Sequence, residues 1–222
     1  MSDHPLAVLE RIRRSSPAPP PGARCELCAA DISDDHGHVV DLDDRGLLCA
    51  CRPCALLFTS EGAAGGRFRT VPDRHVRLAR FVLAPGQWDA LQIPVSMAFF
   101  FRNSRTGDVS GFYPSPAGAT ECLLPLDAWE DIERDHPEVA SLQPDVEALL
   151  VRVDPLEAFI VPIDACYELV GHLRRLWRGF DGGAEAHEQV RRFFARIGER
   201  SDGARAPGRG GGERAAQGGG GS

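Results

Sequence analysis

Residues 24–58 read RCELCAADISDDHGHVVDLDDRGLLCACRPCALLF and hold five of the chain's seven cysteines. Cys25-Glu26-Leu27-Cys28 is one C-x2-C knuckle, a spacing that lets two sulfurs converge on one ion about 2.3 Å from each. Cys49-Ala50-Cys51-Arg52-Pro53-Cys54 is the second cluster. Between them HVVDL (38–42) alternates as a strand does, Asp43-Asp44 supplies a turn, and RGLLC (45–49) returns. ALLF after Cys54 starts a short helix, which places Cys51 to Cys54 at its N-terminus, where the backbone dipole favours thiolates. Knuckle, hairpin, knuckle and helix make a treble-clef-like layout that predicts Zn2+. Tetrahedral zinc takes four ligands. Cys25 and Cys28 come first, and Cys51 and Cys54 follow because they restore the C-x2-C spacing. Cys49 is left as a spare, a substitute ligand or an inward-facing thiol.

Two other readings compete. Iron in a rubredoxin-like four-thiolate site also uses two knuckles, and would make the protein a redox carrier. Such sites usually carry a glycine after each knuckle and an aromatic shell. Here Ala29 and Ala55 follow the knuckles and Phe58 is the nearest aromatic, so zinc is preferred over Fe. RGLLC beside a histidine-aspartate hairpin also resembles zinc-bound His-Asn-His nucleases. The place of their catalytic Asp-His pair reads Val39-Val40-Asp41-Leu42, and no asparagine follows the last knuckle, which argues against cleavage chemistry. Asp34, Asp35, His36, His38 and Asp41 mix imidazole and carboxylate in a way that suits a second metal. The plainer reading, a solvated acidic edge of the hairpin, is favoured.

Outward from this cluster the chain divides into a flexible N-terminal segment (1–22), the cysteine-rich metal-binding module (23–66), an α+β domain (67–197) and a disordered Gly/Arg-rich tail (198–222). SSPAPPPG (15–22) is a stiff spacer, and the tail has too few apolar residues to bury. In the larger domain RFRTV, HVRLARFVL and VSMAFFFRNS read as strands, with a hairpin turning at Thr106-Gly107-Asp108. Asp127 is placed as the cap of a helix ending near His136-Pro137, residues 144–150 as a helix, and AFIVPI as a strand. Asp164 is placed as the cap of a helix whose apolar stripe is Cys166, Leu169, Val170, Leu173, Trp177 and Phe180. His172 and Glu168 lie on its other face. A last helix buries Val190, Phe193, Phe194 and Ile197. Segments 112–122 and 177–183 read as loops. Neither supplies Ser115 with a local base, and His136 is too remote in sequence to assign as one.

All 25 basic residues are arginine and the net charge is −7. Without lysine there is no P-loop or Schiff-base chemistry, and an acidic chain lacks the clustered positive charge of a nucleic-acid footprint. The longest uncharged apolar run, VSMAFFF (95–101), is too short to span a bilayer. Cysteines in metal-ligand spacing suit a reducing compartment, so a cytoplasmic protein is expected.

CELC, CACRPCALLF, FYPSPAGATE, PDVEALLV and VPIDACYELVGHLRRLWRGFDGG together resemble an uncharacterised bacterial family, largely actinobacterial, often encoded beside [NiFe]-hydrogenase genes. The resemblance covers about residues 24–197 and brings no catalytic residue with it. It implies a non-enzymatic accessory role in maturation, assembly or support of a hydrogenase, with the hydrogenase or a maturation factor as the protein partner.

Overall fold

The computed structural model describes residues 24–60, 62–122, 124–178 and 182–203. Among them lie two antiparallel sheets and five α-helices, an α+β arrangement. The expected N-terminal segment 1–22, the tail from residue 204 onward, and Phe180 and Asp181 fall outside the described residues.

The first sheet belongs to the cysteine-rich end. β1 (Gly37–Asp41) pairs with β2 (Gly46–Ala50) on one side and β3 (Phe68–Thr70) on the other. The module therefore takes a strand from beyond residue 66, where the sequence reading ended it. α1 (Arg52–Leu56) follows β2 directly. Val39, Ala50, Cys25, Cys54 and Ala55 form its small core.

The second sheet organises the rest. It comprises β4 (Val76–Arg77), β5 (Met97–Arg102), β6 (Val109–Ser115), β7 (Gly118–Cys122), β8 (Glu147–Val153) and β9 (Leu156–Pro162). The strands are ordered β4-β9-β8-β5-β6-β7. Alternation sends Phe99, Leu150, Phe159 and Val161 to one face, where α4 (Ile163–Leu176) and α5 (Gly183–Gly203) cover them. Ala98, Phe100, Leu149, Val151 and Ile160 go to the other face. There they meet α3 (Leu126–Asp135) and the segment around α2 (Gln87–Ala90), with Trp129 and Ile132 packed in. Three layers result, with the sheet in the middle.

Several local expectations are corrected. Residues 144–150 do not form a helix. Glu147 onward is the central strand β8, buried on both faces, and such a strand shows no period-2 alternation to separate it from helix formers such as Glu, Ala and Leu. HVRLARFVL gives a strand of two residues, because Leu78 and Phe81 turn into the core and only Val76 and Arg77 pair with β9. The expected loop 112–122 is the β6–β7 hairpin. Asp127 lies in the first turn of α3 and Pro125 is the cap residue. Asp164 likewise lies inside α4, behind the cap residue Pro162. α5 continues to Gly203 with Ser201 buried, so residues 198–203 are helical and not part of the expected tail.

The module docks against the α4 side of the domain. The Val71 N–H donates to the His38 carbonyl (3.0 Å), Arg69 donates to the Pro144 carbonyl (3.2 Å), and Val40 and Leu47 pack on the domain core.

Candidate metal centre

The first knuckle is a tight turn held by its own backbone. The Cys25 N–H donates to the Ala30 carbonyl and the Ala29 N–H to the Cys25 carbonyl, both at 2.8 Å. Ala29 has φ 60, the left-handed conformation that a glycine adopts more readily. Glu26 fastens this turn to β2: its N–H donates to the Cys49 carbonyl (2.9 Å), and its Oε2 accepts from the Cys49 N–H (2.6 Å). In the second knuckle Cys51 is the extended N-cap residue of α1, and Cys54 sits in the helix's first turn behind Pro53. The Thr70 hydroxyl donates to the Ala55 carbonyl and ties β3 to the same helix.

Cys25, Cys28, Cys51 and Cys54 place their four sulfurs within 4.8 Å of one another. The Cys28 and Cys51 sulfurs are 3.6 Å apart, against an edge of about 3.8 Å for a tetrahedron with zinc–sulfur bonds of about 2.3 Å. All four are free thiols; Cys25 and Cys54 are buried, and Cys28 is exposed. Burial opposes ionisation of Cys25, but N–H groups of Cys51, Leu27 and Cys28 outweigh it and hold its thiol down at about 6. Cys54 is pushed up to about 12, chiefly by its contacts with the Cys28 and Cys51 sulfurs and by burial. Four thiolates at this spacing need a cation among them, and binding one displaces protons. The donor set fits Zn2+ or iron equally in number and geometry.

Cys49 is not grouped with these four. Its sulfur lies with ring nitrogens of His36 and His38, again within 4.8 Å of one another. Burial, and next the Glu26 carboxylate, push its thiol up. The acidic part of the second cluster read from sequence is not assembled. Asp34 and Asp35 are exposed. Asp41 is committed to Arg67, whose Nη2 donates to it at 2.6 Å, and to the Asp43 N–H at 3.0 Å. Arg67 holds the Asp41 carboxyl down at about 2.

Between module and domain lies a cleft of about 1300 Å3. Its walls are residues 31–38 and α1 on one side, and Asp164, Glu168, Arg196 and Arg200 on the other. Asp164, read from sequence as a helix cap, sends Oδ2 to His38 Nδ1 at 2.8 Å across this cleft. Sequence reasoning missed that partnership, because the two residues are 126 positions apart. The other segments noted in the sequence are structural. Thr120 donates to Ser115 Oγ within the β6–β7 hairpin (2.8 Å). His136 is buried, stacks on Phe81 and donates through Nε2 to the Val82 carbonyl (2.8 Å). Glu168 pairs with Arg196, and His172 bonds Gln189, both between α4 and α5. Across 177–183, Arg178 and Gly182 form a bridge.

Fold and site together define an α+β protein with a four-cysteine cluster shaped for a metal ion. Over residues 24–201 the chain matches the Family of unknown function (DUF5947), and it belongs to that family. No curated protein and no solved structure matches it. Among the described residues no helix is long and apolar enough to cross a membrane.

Proposed function

We propose that the protein is a non-enzymatic accessory protein whose treble-clef-like module holds Zn2+ and presents a surface to a protein partner. The observation that carries this reading is the convergence of Cys25, Cys28, Cys51 and Cys54 on one point. The short helix that begins at the second knuckle supports the treble-clef-like layout, since Cys51 is its N-cap residue and Cys54 lies in its first turn. Leu56, the last residue of α1, and its cap residue Leu57 are 58% and 67% exposed, an apolar pair two and three residues beyond Cys54 that a partner can cover. The partner proposed is a [NiFe]-hydrogenase or one of its maturation factors, and the support for that is the family resemblance alone.

Metal analysis of untagged protein tests the first half: zinc leaves it colourless, whereas ferric iron in four thiolates colours it. Cys51→Ser is expected to lose this ion and Cys49→Ser to keep it. Loss from Cys49→Ser with retention in Cys51→Ser overturns the ligand set. Co-purification from a hydrogenase-producing host tests the second half, and its absence in hydrogenase-replete cells would remove the proposed partner.

A further inference from the structure

The hairpin carries a second ligand set that the four-thiolate reading does not use. Asp41 pairs with Gly46 across the turn, and this register places His38 directly opposite Cys49. His36, two residues earlier, sends its ring to the same side, and the two imidazoles lie 4.8 Å apart, centre to centre. Each ring has its Nδ1 engaged by an acceptor. His36 Nδ1 is 2.8 Å from the Ser33 carbonyl and His38 Nδ1 is 2.8 Å from Asp164 Oδ2. A carbonyl and a carboxylate only accept, so each Nδ1 carries the proton, and each neutral ring keeps its lone pair on Nε2. His36 Nε2 is buried and has no hydrogen-bond partner. A buried lone pair with nothing to accept from is costly in a folded protein unless an ion or water meets it.

An acceptor on the far nitrogen is the arrangement that orients histidines as metal ligands, with a carboxylate or backbone carbonyl fixing the tautomer. We infer that His36 Nε2, His38 Nε2 and the Cys49 sulfur form a second transition-metal site, separate from the four-thiolate cluster, with Asp164 as the positioning residue behind His38. Two imidazoles and one thiolate are a borderline donor set, suited to Zn2+ or Co2+ and not to Mg2+ or Ca2+. Tetrahedral bonds of about 2.0–2.3 Å put such ligand atoms about 3.3–3.6 Å apart, and the Cys49 sulfur and one nitrogen of each ring already lie within 4.8 Å of one another. Three protein ligands leave a fourth position open, the pattern of sites that exchange a ligand. Both histidines line the cleft, and the proposed open position is on that side. The first site has no such vacancy. The second therefore adds the capacity to take a donor atom, a carboxylate or an imidazole, from whatever enters between module and domain.

The full chain, stripped of metal and titrated with Co2+, tests this through ion content and the different absorption of four-thiolate and mixed imidazole–thiolate cobalt. Wild type is expected to bind two ions per chain. Cys49→Ser and the His36→Ala/His38→Ala double variant are expected to bind one and keep the four-thiolate spectrum. Asp164→Asn leaves every ligand in place and is expected to weaken only the second ion, by about 10–100-fold. This variant decides the matter if the double variant does not fold. Saturation of wild type at one ion, or unchanged affinity in Asp164→Asn, overturns the inference. Loss of the four-thiolate spectrum with the histidine-dependent ion retained would instead overturn the zinc-module reading and leave this one standing.

Discussion

Cys49 shows what one residue's neighbours reveal that its spacing does not. From the sequence it is a fifth cysteine too many. The turn of Leu42 to Arg45 nevertheless fixes its cross-strand partner as His38, so the pairing was legible from hairpin register once the turn was placed. Asp164 was not legible in the same way, since nothing local distinguishes a cap from a carboxylate turned to a distant histidine. His75 makes a comparable point about charge. It is 6% exposed, and its Nε2 is buried without a partner. Burial, then the Arg200 charge, depress its pKa, with Arg196 adding to this and Asp73 and Asp164 opposing. The unfolded chain takes up this proton at about pH 6.5 and the folded chain only below that. Between the two values the unfolded state binds more protons, so stability declines as pH falls below about 6.5. Denaturant melts at pH 7.5 and 5.5 are expected to show a larger drop for wild type than for His75→Gln. Equal drops would show that His75 does not carry the effect.

Amphipathic elements declare themselves at the scale of a helix or strand, and doubly buried ones do not. Cys166, Leu169, Val170 and Leu173 on α4, and Val190, Phe193, Phe194 and Ile197 on α5, recur at helical spacing, and all are buried. β8 is covered by helices on both faces of its sheet, so its sequence is apolar without a period. Composition alone cannot separate such a strand from a short buried helix, which is why residues 144–150 mislead. The layered packing makes its own prediction. Phe193 is 1% exposed, meets Phe194 edge-on, and lies beneath the Arg196 guanidinium at 5.3 Å. Phe193→Ala is expected to cost about 3–5 kcal/mol in equilibrium unfolding. Val82→Ala, at a side chain 63% exposed, should stay within about 0.5 kcal/mol. Similar costs at the two positions would contradict the packing of α5 on the sheet.

The whole molecule joins a domain with two cores on either side of one sheet to a module that barely has a core. Two of the module's five buried core residues are the cysteines Cys25 and Cys54. So small a cluster does not hold a fold by burial, and structural zinc in comparable modules supplies on the order of 10–16 kcal/mol of apparent binding free energy. Among the described residues the links to the domain include the polar contacts of His38 with Asp164, Val71 with His38, Arg69 with Pro144 and Arg105 with Asp43, and the packing of Val40 and Leu47 on its core. Such contacts orient a module that is already folded. They are too weak to fold one that is not. Chelation is therefore expected to release residues 24–60 to rapid hydrogen exchange while β8 and β9 stay protected by the layers around them. The cleft should be lost in the same step, because one of its walls is the hairpin that a metal at the four cysteines would hold. Titration of metal-free protein should then fill the four-thiolate site before the site at His36, His38 and Cys49. Exchange of β8 in step with β1 would show instead a single cooperative unit, with the domain's stability depending on the metal as well.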